Sequence, residues 1–315
     1  MIAHGVNEGT MTEGFQGELK RINGGGVLMD VPLKAHTTFR IGGMAQFLVT
    51  PNNTEALAET IRLCNREQIP YYVIGNGSNL LVSDTGYQGV VIRLYRTLDY
   101  IGVEDELLIA GAGALLVSVS KRAMHEGLTG LEFASGIPGT IGGALVMNAG
   151  AYGGEMKDIV HEVTVMTPQG ELQVLSCEEM AFGYRRSIVS EKGLVVVEAK
   201  LKLQAGEKSK IEEKMRELSD ARKEKQPLEF PSAGSTFKRP EGYFAGKLID
   251  DAGLRGYQVG GARVSDKHCG FVINTGNATA SDVVQLIQDV RQKVKLKSGV
   301  ELEPEVKLLG KFEVL

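Results

Sequence analysis

Two glycine-rich stretches are the first places in this chain where residue types and spacing could do chemistry. Gly75-Asn76-Gly77-Ser78-Asn79-Leu80 follows the apolar run Tyr71-Tyr72-Val73-Ile74. Glycines at such a turn expose successive backbone N–H groups, and Ser78 and Asn79 add side-chain donors, so the turn can cradle phosphate oxygens. It is not a Rossmann fingerprint, because Leu80 stands where the third glycine belongs, and Gly111-Ala112-Gly113 fails likewise at Leu116. No G-x-x-x-x-G-K-[ST] and no G-x-S-x-G occurs. Taken alone, the first stretch reads as a tight turn. The second stretch is more specific. Gly136-Ile137-Pro138-Gly139-Thr140-Ile141-Gly142-Gly143 continues through Asn148, Gly150, Tyr152, Gly153 and Gly154. Glycines this dense are poor helix or strand material. The interleaved Ile137, Ile141, Leu145 and Val146 argue for burial, so a backbone brought close to a flat or phosphorylated ligand is expected there.

Three further segments carry polar groups with plain structural readings of their own. In Phe182-Gly183-Tyr184-Arg185-Arg186-Ser187, Arg185 alone reads as a surface charge. Pro231-Ser232-Ala233-Gly234-Ser235-Thr236-Phe237-Lys238 reads as a linker rich in hydroxyls. Glu301, Glu303 and Glu305 alternate with apolar residues, as on the solvated face of a strand. Cys64, Cys177 and Cys269 are widely spaced with no C-x-x-C pair, which excludes a disulfide framework and a zinc knuckle and fits a reducing compartment. No metal is expected. The net charge of −4 argues against a nucleic-acid binder. The longest apolar run is too short to span a bilayer, and Met1 to Asp30 lacks a signal pattern. A cytoplasmic protein is expected, monomeric or weakly oligomeric.

These segments need elements to position them. With 315 residues the chain is long enough for two domains. Residues 1–30, polar and glycine-bearing, are expected as a loose lead-in with at most one short helix, and structure is expected from about Val31. Thr54 can cap a helix running to about Gln68, with Leu57, Ile61 and Cys64 on one face and Pro70 beyond its end. Tyr71–Ile74, Gly89–Leu94 and Leu107–Ala110 read as strands, and Leu115, Val119 and Ala123 as a helix ended by Gly127. Val163 and Val165 alternate into Pro168-Gln169-Gly170 and Leu172 and Val174 alternate out, which predicts a hairpin. Leu194–Leu203 is a further strand. Residues 31–204 thus read as one α+β unit of two lobes, and 205–315 as a second unit. That unit opens on a charged helix, Glu207–Lys225, whose apolar stripe Ile211, Met215, Leu218 meets Arg222 where an apolar residue was due. Helices over Phe244–Ala252 and Ser281–Lys295 and a closing strand over Val300–Leu309 complete the expectation.

Together the motifs resemble the UDP-N-acetylenolpyruvoylglucosamine reductase family. The resemblance runs from about Val31 to Gly310 and rests on Ile74–Leu80, Gly136–Gly143, Phe182–Arg185, Ala233–Lys238 and Leu302-Glu303-Pro304-Glu305-Val306, in that order. It is closer to the shorter, type II form, because the chain passes quickly from Arg185 into Leu194–Leu203. The resemblance implies an α+β fold: a two-lobed FAD-binding domain of the vanillyl-alcohol-oxidase (PCMH) type, then a smaller α+β substrate-binding domain. It implies noncovalent FAD held by Gly75, Asn76, Gly77, Ser78, Asn79, Leu80, Gly136, Ile137, Pro138, Gly139, Thr140, Gly142, Gly143, Asn148 and Gly150, with Arg222 and Lys307 beside it.

It also implies the reaction, in which NADPH reduces FAD and UDP-N-acetylglucosamine enolpyruvate is then reduced to UDP-N-acetylmuramate for peptidoglycan precursors. Arg185 matches the arginine that stabilises the enolate-like charge, Ser235 the proton donor, and Glu305 the glutamate that shares in this stabilisation. Tyr184, Lys225, Lys238, Arg239, Arg255 and His268 fall at substrate-side positions. Arg239 stands where the long form has asparagine, His268 where the family has glutamine, and Lys307 replaces an arginine. No second dinucleotide motif is present, so NADPH and the sugar nucleotide are expected to share one pocket in turn. Two competing readings are another flavin oxidoreductase of the carbohydrate or alcohol oxidase type, and a non-catalytic nucleotide-sugar binding protein.

Overall fold

The computed structural model describes residues 13–312. The chain opens on helix α1 (Glu13–Asn23), followed by strand β1 (Val27–Pro32). The lead-in is therefore not loose from residue 13 onward, and residues 1–12 lie outside the described residues. The reason is apolar spacing: Phe15 and Leu19, one turn apart, are buried in the core, Phe15 edge-on to Phe47 at 5.7 Å. Asn23 Nδ2 donates to Thr60 Oγ1 at 2.9 Å and locks the helix to its neighbour.

Strands β2 (Met44–Val49), β3 (Tyr71–Ile74), β4 (Leu80–Val82) and β5 (Tyr87–Arg93) follow. β1, β2, β5 and β3 form a sheet in that order, with β5 parallel to both β2 and β3. Helix α2 (Thr54–Arg66) crosses between β2 and β3, burying Leu57, Ile61 and Cys64 as its spacing predicts. Its cap is Asn53 and not Thr54: Asn53 has extended backbone and accepts from Ala56 N at 2.8 Å. Asparagine is the stronger cap, and the register moves by one residue.

The second sheet holds β6 (Ile101–Glu104), β7 (Leu107–Gly111), β8 (Val160–Met166), β9 (Leu172–Ser176) and β10 (Val195–Lys202). It is antiparallel, in the order β9-β8-β10-β7-β6, and β8–β9 is the hairpin expected from the alternating valines. Helix α3 (Leu116–Glu126) ends at Gly127 in the left-handed conformation, φ 71°. Helix α4 (Ile141–Val146) corrects the reading of its segment as unsuited to helix. A Cβ on Gly142 would lie 3.1 Å from Ala112 Cβ, so glycine lets α4 press against the end of β7. Thr140 caps it through Gly143 N at 3.4 Å.

Helix α5 (Lys208–Lys225) buries Ile211 and Leu218 and lies against α3 and the short turn Glu132–Ala134 of the first unit. The second unit's own core gathers later residues, from Ala233 to Val306, with Phe39, Ile41 and Leu81 added from the first unit. Its sheet has strands β11 (Ser232–Ser235), β12 (Gln258–Val259), β13 (Ala262–Val264) and β14 (Phe271–Asn274), in the order β11-β14-β13-β12. Helices α6 (Ala245–Asp251) and α7 (Ala280–Ser298) pack on it, with Val283, Ile287, Val290 and Val294 of α7 buried as expected.

The closing strand is shorter than the alternation suggests. Only β15 (Lys307–Leu309) is regular, and it pairs in parallel with β4. Residues 301–306 form no strand beyond one bridge between Phe237 and Pro304, since proline cannot donate to a ladder.

Candidate functional site

The two glycine-rich stretches face one another. Asn76 Nδ2 donates to Pro138 O at 2.8 Å. A Cβ on Gly75 would lie 2.2 Å from Thr140 Oγ1, and one on Gly77, whose φ is +61°, would lie 2.3 Å from His36 O. Only glycine permits this approach. The facing turns wall a cavity of about 310 Å³. Gly75 to Leu80, Ile137, Pro138, Gly139, Thr140, Gly143 and Gly150 all line it.

Arg222, on the cavity side of α5, also lines it, which accounts for the interrupted apolar stripe. Burial pushes the Arg222 guanidinium below the usual arginine range. Among the described residues it makes no ion pair or side-chain hydrogen bond. Three expected contacts lie behind the wall. A Cβ on Gly136 would lie 3.0 Å from Arg222 Cδ, so Gly136 makes room for that side chain, as Gly142 makes room for α4. Asn148 is fully buried with φ 41°; it donates to Glu155 Oε2 at 2.9 Å and to Gly183 O at 3.2 Å, and frames the next segment.

That segment carries Arg185, in the left-handed region at φ 57° and with its guanidinium 5.1 Å from the Tyr184 ring. Arg185 Nε donates to Glu305 Oε1 at 2.9 Å and Nη2 donates to Gly150 O at 3.4 Å. The pair is largely enclosed, with side-chain exposures of 21% and 13%. Glu305 is therefore not on a solvated face. Its carboxyl is raised above the ordinary glutamate range because burial outweighs the opposing pull of Arg185, Lys238 and Lys307. Its backbone is fixed from both units: Glu305 N donates to Thr236 O at 2.8 Å, and Asn79 Nδ2 donates to Glu305 O at 3.3 Å. Lys307 N donates to Asn79 O at 3.0 Å, which brings Lys307 to the same cavity.

Ser235, at the end of β11, is exposed and follows Gly234 at φ 76°. Thr236 anchors this turn, its N donating to Gly270 O at 2.9 Å and its Oγ1 accepting from Val272 N at 3.0 Å. A second cavity opens beside the first, and Arg185, Ser235 and Glu305 line both. Three segments, more than a hundred residues apart at the widest, thus meet where the two cavities join.

Tyr184, Arg239, Arg255 and His268 line the second cavity. Arg239 N donates to the Tyr184 hydroxyl at 3.0 Å, and its guanidinium lies 4.0 Å from the Phe244 ring. Arg255 forks onto Asp250 at 3.0 and 2.8 Å. His268 Nδ1 accepts from Gly270 N at 3.0 Å, and burial lowers its pKa, so it is held neutral with the proton on Nε2. Lys238 and Lys225 line neither cavity; Lys238 pairs with Glu303. The sequence reading passed over Lys247, Lys267 and Phe244, which line the second cavity, and Gln226, which lines the first. Lys247 and Lys267 carried no motif, and Gln226 had one signal only, a position one turn beyond Arg222.

The first cavity fits FAD on its own features: facing turns whose Gly75 and Gly77 admit no Cβ, and the half-buried Arg222 cation with no ion-pair partner among the described residues. Among the described residues no cluster of three or more His, Cys, Asp or Glu could hold a metal ion. No helix among them is long and apolar enough to cross a membrane.

Residues 45–176 match the family model described as an FAD binding domain. Residues 226–309 match the model for the UDP-N-acetylenolpyruvoylglucosamine reductase C-terminal domain. Among curated relatives, the UDP-N-acetylenolpyruvoylglucosamine reductase of Lachnoclostridium phytofermentans is 54% identical, over 90% of this chain and 93% of its own. That of Caldanaerobacter subterraneus subsp. tengcongensis is 52% identical over 95% and 99%. A crystal structure of UDP-N-acetylenolpyruvylglucosamine reductase from Thermus caldophilus superposes with a TM-score of 0.77 at 39% identity, covering 89% of this chain and 98% of that one. An FAD-binding unit carrying a second α+β unit over its ligand cavity makes the chain a flavoprotein. It belongs to the UDP-N-acetylenolpyruvoylglucosamine reductase family.

Proposed function

We propose that this protein uses NADPH and noncovalently bound FAD to reduce UDP-N-acetylglucosamine enolpyruvate to UDP-N-acetylmuramate, in the cytoplasm. The observation that carries the reading is the meeting of Arg185, Ser235 and Glu305 where the two cavities join. Bound FAD supplies hydride taken from NADPH, for transfer to the methylene carbon of the enolpyruvyl ether. The remaining work falls to the chain. Negative charge then develops beside the substrate carboxylate, and the Arg185 guanidinium, held by Glu305 and Gly150 O, is preorganised to stabilise it. Glu305, its carboxyl raised by burial above the ordinary glutamate range, lies beside the same charge and holds Arg185 at 2.9 Å.

Ser235 donates a proton to the neighbouring carbon. A serine hydroxyl is a very weak acid, so it can donate only to a strongly basic centre and must regain a proton from its surroundings. The Ser235 hydroxyl makes no hydrogen bond within the described residues and is free to turn toward substrate. Arg239, Arg255, Lys247 and Lys267 give the second cavity the positive charge that a sugar-nucleotide diphosphate calls for. NADPH and the sugar nucleotide use this space in turn, which entails ping-pong kinetics. Stopped-flow absorbance of the flavin tests the roles. Ser235→Ala should keep bleaching by NADPH and lose reoxidation by the enolpyruvyl substrate; equal loss of both halves would overturn the role given to Ser235.

A further inference from the structure

Phe244, the residue before α6, lines the second cavity and is 61% exposed. Single exposed apolar side chains are common on protein surfaces and need no ligand. This one is braced from one side. The Arg239 guanidinium lies over its ring, 4.0 Å from the centroid. Arg239 is itself held at both ends, its N donating to the Tyr184 hydroxyl at 3.0 Å and its Nε to Tyr243 O at 3.3 Å. A phenyl ring has two faces. With a fixed cation across one and most of the residue still exposed, the other is left to the cavity it lines.

The surrounding charges narrow what can lie there. Of the acids lining the same cavity, Asp250 is taken by Arg255 and Glu305 by Arg185. Arg239 and Lys267 also line it, and neither has an ion-pair partner among the described residues. A purely apolar ligand would leave these cations unmatched, and a bare anion would leave the Phe244 face in water. A ligand that is flat at one part and anionic at another satisfies both, and a nucleotide is such a ligand. Aromatic side chains hold bases by stacking whatever the base, because every base has a π-face.

We propose that Phe244, braced by Arg239, stacks the heteroaromatic base of a nucleotide entering the second cavity, and so selects nucleotides over bare diphosphates. The inference rests on the reading of this cavity as the space of the sugar nucleotide and NADPH. FAD-loaded wild type, Phe244→Leu and Phe244→Trp would be followed by stopped-flow flavin absorbance over ranges of NADPH and of the enolpyruvyl substrate. Phe244→Leu should raise the half-saturating concentration about five- to a hundredfold in at least one half-reaction, with little change in its limiting rate. A rise for the enolpyruvyl substrate assigns the platform to uracil, a rise for NADPH to adenine or nicotinamide, and a rise for both to one base site used in turn. Inhibition by UDP or ADP should weaken in step, and inhibition by pyrophosphate should not. Phe244→Trp keeps a flat ring and should stay close to wild type. Because the side chain is largely exposed, melting and flavin content of Phe244→Leu should be unaltered.

Unchanged half-saturation in both half-reactions of Phe244→Leu would overturn the proposal. So would pyrophosphate inhibition weakened as much as that by UDP and ADP, which would mean that the loss came through a displaced Arg239. Phe244→Trp losing as much as Phe244→Leu would overturn it as well, since packing and not a flat ring would then matter. Wild-type flavin that NADPH reduces but the enolpyruvyl substrate fails to reoxidise would instead overturn the reading on which the proposal stands.

Discussion

At the residue scale, Glu305 is held between opposing influences. Enclosure raises its carboxyl, whereas Arg185, Lys238 and Lys307 pull it down, and enclosure prevails. A folded-state value above the ordinary 4.5 means that the folded protein binds more protons than the unfolded chain above that pH. Stability is therefore fullest below the ordinary value and is lost as pH rises through the folded one. Glu305→Gln carries no such penalty, so the difference in melting temperature should move in its favour as pH rises from below 4.5 toward neutrality. A difference that stays constant over that range would show ordinary ionisation. None of this could be read from alternation alone. Glu301, Glu303 and Glu305 look equivalent in sequence, yet Glu301 and Glu303 are exposed and Glu305 is turned in. Only the resemblance singled out Glu305.

At the element scale the period-3.6 and period-2 patterns were legible wherever an element has one buried face. Helices α2, α3 and α7 and strand β8, with Val163 and Val165 buried, are such cases, whereas Leu172 and Val174 of β9 are exposed. Failures came where local rules met tertiary demands. Helix α4 takes glycine at 142 because it must approach Ala112 closely there, and 301–306 gives up strand pairing at Pro304. Helix α1 gives a weak signal because its eleven residues hold only Phe15, Leu19 and Ile22 as large apolar side chains, until Phe47 and Thr60 are seen beneath them. Leu19, fully buried there, should lose about 2–5 kcal/mol on substitution by alanine in urea unfolding. At the start of α2, Asn53→Ala should cost about 1 kcal/mol in the same assay, and Thr54→Ala markedly less. The reverse order would restore the cap to Thr54.

At the scale of the whole molecule, the two units are joined by polar contacts as well as by a shared core. Asp84, two residues past β4, accepts from Ala280 N at 2.7 Å, Ser281 N at 2.9 Å and Ser281 Oγ at 2.7 Å. A carboxylate at the N-terminus of the 19-residue α7 also meets the positive end of its dipole. Asn274 Nδ2 donates to Phe39 O at 3.1 Å, and Thr38 Oγ1 donates to Ser232 O at 2.7 Å. Asp84→Ala should destabilise the protein by about 2 kcal/mol and broaden its calorimetric transition as the units uncouple. An unaltered transition would show that the apolar contacts of Phe39, Ile41 and Leu81 suffice.

The parallel pairing of β15 with β4 has a consequence for how the protein is made. Asn79 and Glu305, joined through side chain and backbone, are 226 residues apart. Synthesis on the ribosome is vectorial, so the glycine turn emerges long before the segment that closes over it. Contacts of such sequence separation form late, because a long loop must be closed before they can contribute. A nascent chain thus presents an open cradle throughout most of its translation, and a cofactor can be enclosed only after the second unit has been delivered.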